Sequence, residues 1–169
     1  MTAARDVIKN QTVQVDGRGY AGQLQEVNPP KLVLVTEEFR GGGMDMPTEL
    51  TMGMEALRSD FTLISYDRAV LGHFGVVQGA DIPFVIREHL ESRNGASTQV
   101  VHNMRGKVIE LDSGTHAPGK PAPLKVTMAL NYYKQTHGGV VVHEIDVENS
   151  VRIINGVDAL SAMRVNLAI

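Results

Sequence analysis

The sequence predicts a mainly β protein, a β-sandwich or barrel-like fold with one flanking helix and a short C-terminal helix. Three observations carry this. Apolar and polar residues alternate at a spacing of two along the 124–135 segment, and short β-rich runs recur between Gly, Pro and Asn turn signals. Only two stretches space their apolar residues at three to four. With 169 residues, 43% hydrophobic and 21% charged, the chain has the size and composition of one folded domain, expected to span 1–169.

Taken in order, Val13 and Val15, then Asp16-Gly17, then Tyr20 read as a tight hairpin, because Asp-Gly supplies the positive φ angles of a two-residue turn. Asn28-Pro29-Pro30 breaks the chain. Lys31 to Phe39, rich in Leu and Val, reads as a strand running into Gly41-Gly42-Gly43, and a second arm resumes near Thr48, so residues 37–52 are expected to form a hairpin. Glu55 to Ser65, with Leu57, Phe61 and Leu63 at mostly even spacing, and Ile82 to Leu90 are two further strands. Between them Asp67 is placed to cap a flanking helix over 67–76 that carries Ala69, Val70, Leu71 and Phe74.

Asn94-Gly95 marks a turn before a strand over Val100 to Leu111, and a loop rich in Gly and Pro follows from Ser113 to Pro123. In the long strand from Leu124 to Gln135, Leu124, Val126, Met128, Leu130 and Tyr132 are expected on one face, with Lys125, Thr127, Ala129 and Asn131 on the other. Gly138-Gly139 turns the chain into Val140 to Ile154. After the Gly156 break a helix is expected over Val157 to Met163, with Ala159, Leu160 and Met163 on one side.

Little in this chain points to catalysis. Cysteine is absent, which excludes disulfides, thiolate metal sites and cysteine nucleophiles. No apolar run approaches the roughly 20 residues that cross a bilayer, and Met1 to Asn10 lacks a signal-peptide core, so cytoplasmic synthesis without membrane insertion is expected. None of the six histidines forms a His-x-x-x-His pair, and no metal or cofactor is expected. His102 and His143 lie on predicted strands that a fold could bring together; partly buried or surface histidines are the commoner outcome. Glu144, Asp146 and Glu148 alternate with Ile145 and Val147, a spacing that suits hard-cation binding or acid/base work as well as a polar outer or inter-subunit face. A small metal-dependent hydrolase built on that face with a histidine is one competing reading. Gly41-Gly42-Gly43 is not followed by the Gly-Lys of a phosphate loop, no Gly-x-Ser-x-Gly elbow occurs, and 5% aromatic content without a basic stripe argues against a nucleic-acid binder.

Charge is placed more tellingly. Over residues 37–49, Glu37, Glu38, Asp45 and Glu49 face only Arg40, a net negative charge equal to the formal −3 of the whole chain. Such an acidic hairpin is either a solvated edge that discourages aggregation or a functional surface.

Longer words are more specific. Glu38-Phe39-Arg40-Gly41-Gly42-Gly43-Met44-Asp45-Met46-Pro47, followed by Met52-Gly53-Met54-Glu55-Ala56-Leu57, resembles the major tail tube proteins of contractile-tailed phages and R-type pyocins. Met104-Arg105-Gly106-Lys107 with Glu110 and Asp112 adds a middle match. Tyr132-Tyr133-Lys134, Glu144-Ile145-Asp146, Ile154-Asn155-Gly156-Val157-Asp158-Ala159-Leu160, Met163-Arg164 and Asn166-Leu167 follow in the same order. The resemblance covers nearly the whole chain and is weakest over 64–97 and 113–123.

The resemblance implies a non-enzymatic subunit, six of which close into a ring, with rings stacked into a hollow tube that conducts DNA or ions. It implies a sheath protein outside, tape measure protein and DNA inside, and a baseplate hub and tail terminator at the ends. The particle is then a virion tail or tail-like particle assembled in the bacterial host cytoplasm. The 37–52 hairpin is expected to line the lumen with Glu37, Glu38, Arg40, Asp45 and Glu49, since an acidic lining repels DNA that carries about one charge per 1.7 Å. The 67–76 helix is expected towards the sheath. The N-terminal segment and residues 157–169, with Asp158, Leu160, Met163, Arg164 and Leu167, are expected to stack rings, because termini order most readily on a partner. The alternative within the same architecture is the secreted ring protein of a type VI secretion system.

Overall fold

The structure is a computed structural model that describes residues 4–169; the first three residues of the N-terminal segment lie outside the described residues. Its strands are β1 (Val7–Val15), β2 (Arg18–Gly19), β3 (Leu24–Asn28), β4 (Leu34–Phe39), β5 (Thr48–Met54), β6 (Arg58–Leu63), β7 (Ile82–Glu91), β8 (Ser97–Asp112), β9 (Leu124–His137), β10 (Val140–Asp146), β11 (Val151–Ile154) and β12 (Val157–Asp158). Helix α1 (Arg68–Leu71) lies between β6 and β7, and α2 (Ser161–Leu167) ends the chain. At 54% strand and 7% helix, the fold is mainly β with two helices, as the sequence predicts.

Ten strands form one sheet in the order β12-β11-β10-β9-β8-β7-β1-β2, with β6 branching from β9 and β3 from β6; β4 and β5 form a separate two-stranded sheet. The β1–β2 turn has φ 47° at Asp16 and 77° at Gly17, the geometry an Asp-Gly hairpin needs.

β9 organises the fold because it forks the sheet. Its first half pairs with β6 from Leu124↔Leu63 to Ala129↔Arg58, and its second half pairs with β10, while β8 follows its other edge. At the fork Asn131 is an extra residue between the pairs Leu130↔Gly106 and Tyr132↔Arg105. Such a bulge reverses the inside–outside phase of everything beyond it. Tyr133, not Tyr132, is therefore buried, which corrects the alternation expected from the sequence. Neighbouring segments satisfy the bulged residue: its side-chain amide donates to Asp81 at 2.9 Å, and its carbonyl accepts from the Val147 N–H at 3.0 Å.

The core sits inside the curl. Phe61 of β6 stacks on Phe84 of β7 with ring centroids 4.9 Å apart, although these strands are not hydrogen-bonded neighbours. Val13, Leu63, Val70, Ile86, Leu124, Val126 and Met128 are among the residues that pack around them, each worth about 1.5–3 kcal/mol of burial.

Three local expectations are corrected. The flanking helix is a single turn rather than 67–76: the Asp67 carboxylate accepts from the Ala69 and Val70 N–H groups at 2.7 and 3.2 Å, but Phe74 leaves the helix and forms a parallel bridge to Val108. Val140 to Ile154 folds as the β10–β11 hairpin, so the strand face expected to carry Glu144, Asp146 and Glu148 ends at Asp146. Asp146 closes its turn by accepting from the Asn149 backbone and side chain at 3.1 and 2.8 Å. The last helix begins at Ser161 instead of Val157, because Val157 pairs with Ile154 across an Asn155-Gly156 turn whose φ angles are 49° and 82°.

Candidate functional site

The β4–β5 hairpin stands apart from the core. Its two strands pair from Leu34↔Met54 to Phe39↔Thr48, and every residue of β4 is exposed. The Glu55 N–H donates to the Val33 carbonyl at 3.0 Å and ties the root, while Met52 bulges between the pairs Val35↔Gly53 and Thr36↔Thr51. At the tip the Met44 N–H donates to the Gly41 carbonyl at 3.3 Å and the Gly41 N–H donates to the Met44 sulfur at 3.3 Å. Arg40 Nε donates to the Met44 carbonyl at 3.1 Å, so the arginine organises the tip rather than neutralising an acid.

The register divides the predicted acidic set. Cross-strand partners share a face, so Thr36 and Glu38 stand with Thr51 and Glu49 on one side. Val35, Glu37 and Phe39 stand with Leu50 and Thr48 on the other. Glu38 is directly opposite Glu49, a like-charge pair that weakens an isolated hairpin. Asp45 is exposed in the tip. The sequence reading missed the apolar face of Val35, Phe39 and Leu50, which ordinary strand alternation and the β4–β5 register put together. Two strands with both faces exposed are marginal on their own in water. Phe39 is 54% and Leu50 49% exposed, which marks a surface made to be covered.

The C-terminal residues behave differently from one another. Arg164 pairs with the Asp158 carboxylate and donates to the Ser150 carbonyl at 2.8 Å, clamping α2 to the β10–β11 turn. The same carboxylate accepts from the Leu160 N–H at 3.0 Å. The Arg164 guanidinium and that backbone bond hold the Asp158 carboxyl below its usual range. Asp158 and Arg164 thus act within the subunit, while Leu160 is half-buried and Met163, Val165, Leu167 and Ile169 are exposed apolar groups.

The strand carboxylates are engaged as structure. Glu144 accepts from the Tyr132 hydroxyl at 2.8 Å and lies 3.7 Å from Lys134 Nζ, and Arg105 stacks over the Tyr132 ring at 5.0 Å. Burial, then the Glu144 bond, push the Tyr132 hydroxyl up to about 12. Glu148 lies in the turn beyond β10 and does not share the face the sequence suggested. His143 Nδ1 meets Gln135 Oε1 at 2.8 Å, whereas His102 is buried with Nδ1 3.0 Å from the Tyr133 hydroxyl and Nε2 3.5 Å from Glu88. The two histidines do not meet. Among the described residues no three His, Asp or Glu side chains are grouped to hold a metal ion, and no helix is long and apolar enough to cross a membrane.

The profile of the phage tail tube protein FII family matches residues 5–167. The tail tube protein of Escherichia phage P2 is 28% identical over 166 residues, 96% of either chain. The major tail tube protein of Serratia phage KSP20 is 25% identical over 148 residues, covering 83% of this chain and 82% of that protein. A chain of the sheath–tube complex of an extracellular contractile injection system, PVC in its extended state, superposes with a TM-score of 0.60. That superposition covers 78% of this chain and 90% of the other at 12% identity, a likeness of fold.

Proposed function

The chain belongs to the phage tail tube protein FII family and is a tail tube subunit, and from that premise we propose that six copies close into a ring whose β4–β5 hairpins line a continuous channel. The observation that carries this reading is the hairpin itself, exposed on both faces and, among the described residues, unpaired along both edges. Rotation about a ring axis points every hairpin the same way, which sets β4 of one copy antiparallel beside β5 of the next. Each open edge then finds its hydrogen-bond partner in a neighbour, and closure removes the edges altogether.

In that barrel the polar face with Thr36, Glu38, Glu49 and Thr51 turns inward and the apolar face packs outward on the subunit bodies. An acidic lining gives duplex DNA nothing to bind by counterion release, so it slides. Arg40 and Asp45 belong to the rim formed by the hairpin tips. Rings stack through the C-terminal apolar residues, a sheath encloses the tube, and tape measure protein and DNA occupy the lumen between a baseplate hub and a tail terminator. The whole chain acts as one structural unit with no catalytic role, assembled in the host cytoplasm.

Negative-stain microscopy of the purified protein over a concentration series, with light scattering to count subunits, tests this. Six-fold rings or hollow filaments are expected. Compact dimers or tetramers that persist at high concentration would overturn it.

A further inference from the structure

Glu37 departs from the other acids of the hairpin. It shares a face with Val35, Phe39 and Leu50 rather than with Glu38 and Glu49. It is exposed in the isolated subunit, and among the described residues no ion pair engages it. Among the described residues, no part of its own chain buries this face. A carboxylate carried among apolar groups into a protein interface is costly unless a cation and hydrogen bonds meet it there.

Resting on the reading of the hairpin as the ring-forming element, we infer that Glu37 is an inter-subunit contact, paired in the tube with a lysine or arginine of a neighbouring copy, and is not part of the channel lining. The occupant of this face is a second copy of the chain. The hairpin carries both determinants: an apolar face large enough to demand cover, and one negative charge at its centre that selects a basic covering surface. A pair of this kind sets register around the ring, since a shifted neighbour would leave the carboxylate buried and unmatched.

The absence of cysteine makes the test clean, because one introduced thiol is the sole site of labelling. Glu37→Cys and Glu38→Cys subunits, each shown by circular dichroism to fold, are mixed with a tenfold excess of wild-type protein, assembled into tubes and treated with a small maleimide. Position 37 is expected to be protected at least about tenfold relative to the free subunit, and position 38 to react through the open channel. A folded Glu37→Cys subunit that fails to enter tubes while Glu38→Cys enters them has the same meaning. In parallel, Glu37→Gln is expected to raise the critical concentration for assembly by about tenfold or more, and Glu38→Gln to leave it level or lower it.

Label reaching position 37 in tubes as fast as in free subunits, with position 38 protected, overturns the inference and leaves the ring-forming hairpin intact. If both positions label as in free protein, the hairpin is outside the interface and the reading beneath the inference fails with it.

Discussion

Gly106 lies so close to Ala129 across the β8–β9 bulge that a Cβ built on it would sit 2.0 Å from the Ala129 carbonyl oxygen. The obstacle is backbone, with no flexible side chain to yield. This is the same irregularity that inserts Asn131 and turns Tyr133 into the core. Replacing Gly106 with Ala is therefore expected to destabilise the subunit by about 3 kcal/mol or more, by forcing apart the two longest strands. Urea denaturation measures it; a loss below about 1 kcal/mol would mean the bulge relaxes freely.

Tyr133 provides a pH test of the same region. Burial, and then the negative charge of Glu88, push its hydroxyl up to about 12 from the ordinary value of 10.0. The folded value is the raised one, so its stabilising contribution is complete below pH 10 and is lost as pH rises towards 12. Tyr133→Phe removes both that dependence and the contact with His102, at a cost of about 1 kcal/mol near pH 8. By pH 11 the wild type loses roughly 1 kcal/mol that the variant keeps, so the two stabilities converge. A constant difference between pH 8 and 11 would show that the hydroxyl ionises without unfolding the site.

Glu38 and Glu49 oppose each other across β4 and β5, so exchanging one sign should help the free hairpin and harm the channel. Glu49→Lys is expected to slow amide exchange in β4 and β5 by an amount equivalent to about 0.5–1 kcal/mol, an effect that salt screens. Tubes of the variant are expected to retain duplex DNA at low salt where wild-type tubes release it, read by co-sedimentation. Equal DNA release from both tubes would take Glu49 out of the lining.

The sequence made the strands legible because their turns are chemically explicit: Asp16-Gly17, Asn94-Gly95, Gly138-Gly139 and Gly156 all turn the chain where expected. What it concealed were changes of phase. A period-two pattern read through Leu124 to Tyr132 cannot report an inserted residue such as Asn131, whose cause lies in the partner strand at Gly106. That Glu37 and Glu38 point to opposite faces follows from ordinary strand alternation, which grouping the acids by charge alone overlooked. Val157 reads as helical when grouped with the residues after it, yet it is strand because it pairs with Ile154 across Asn155-Gly156, a two-residue hairpin signal that the local sequence itself carries. The resemblance pointed to the acidic hairpin as a lining element, and strand register then sorted its residues onto two faces.

The C-terminus separates clamp from contact. Removing residues 158–169 should block tube growth, but that cut also truncates β12 and removes the Asp158–Arg164 pair, so loss of fold and loss of stacking would look alike. Exposed side chains distinguish them. Val165 is 79% and Leu167 60% exposed, so a Val165→Ser, Leu167→Ser subunit is expected to keep wild-type stability within about 0.5 kcal/mol. If these residues stack rings, that variant forms single rings and no filaments. Arg164→Ala acts by the other route, freeing α2 from the Ser150 carbonyl and raising its amide exchange. The clamp is also pH-dependent: Asp158 is held below its ordinary carboxyl value of 3.8, so its contribution is present above that value and lost as pH falls through the lowered one. Acid that melts α2 should therefore shorten tubes before it unfolds the sheet. Full-length filaments from the serine variant would remove this face from the stacking surface and direct the search to the described part of the N-terminal segment, where Val7 and Ile8 are also exposed.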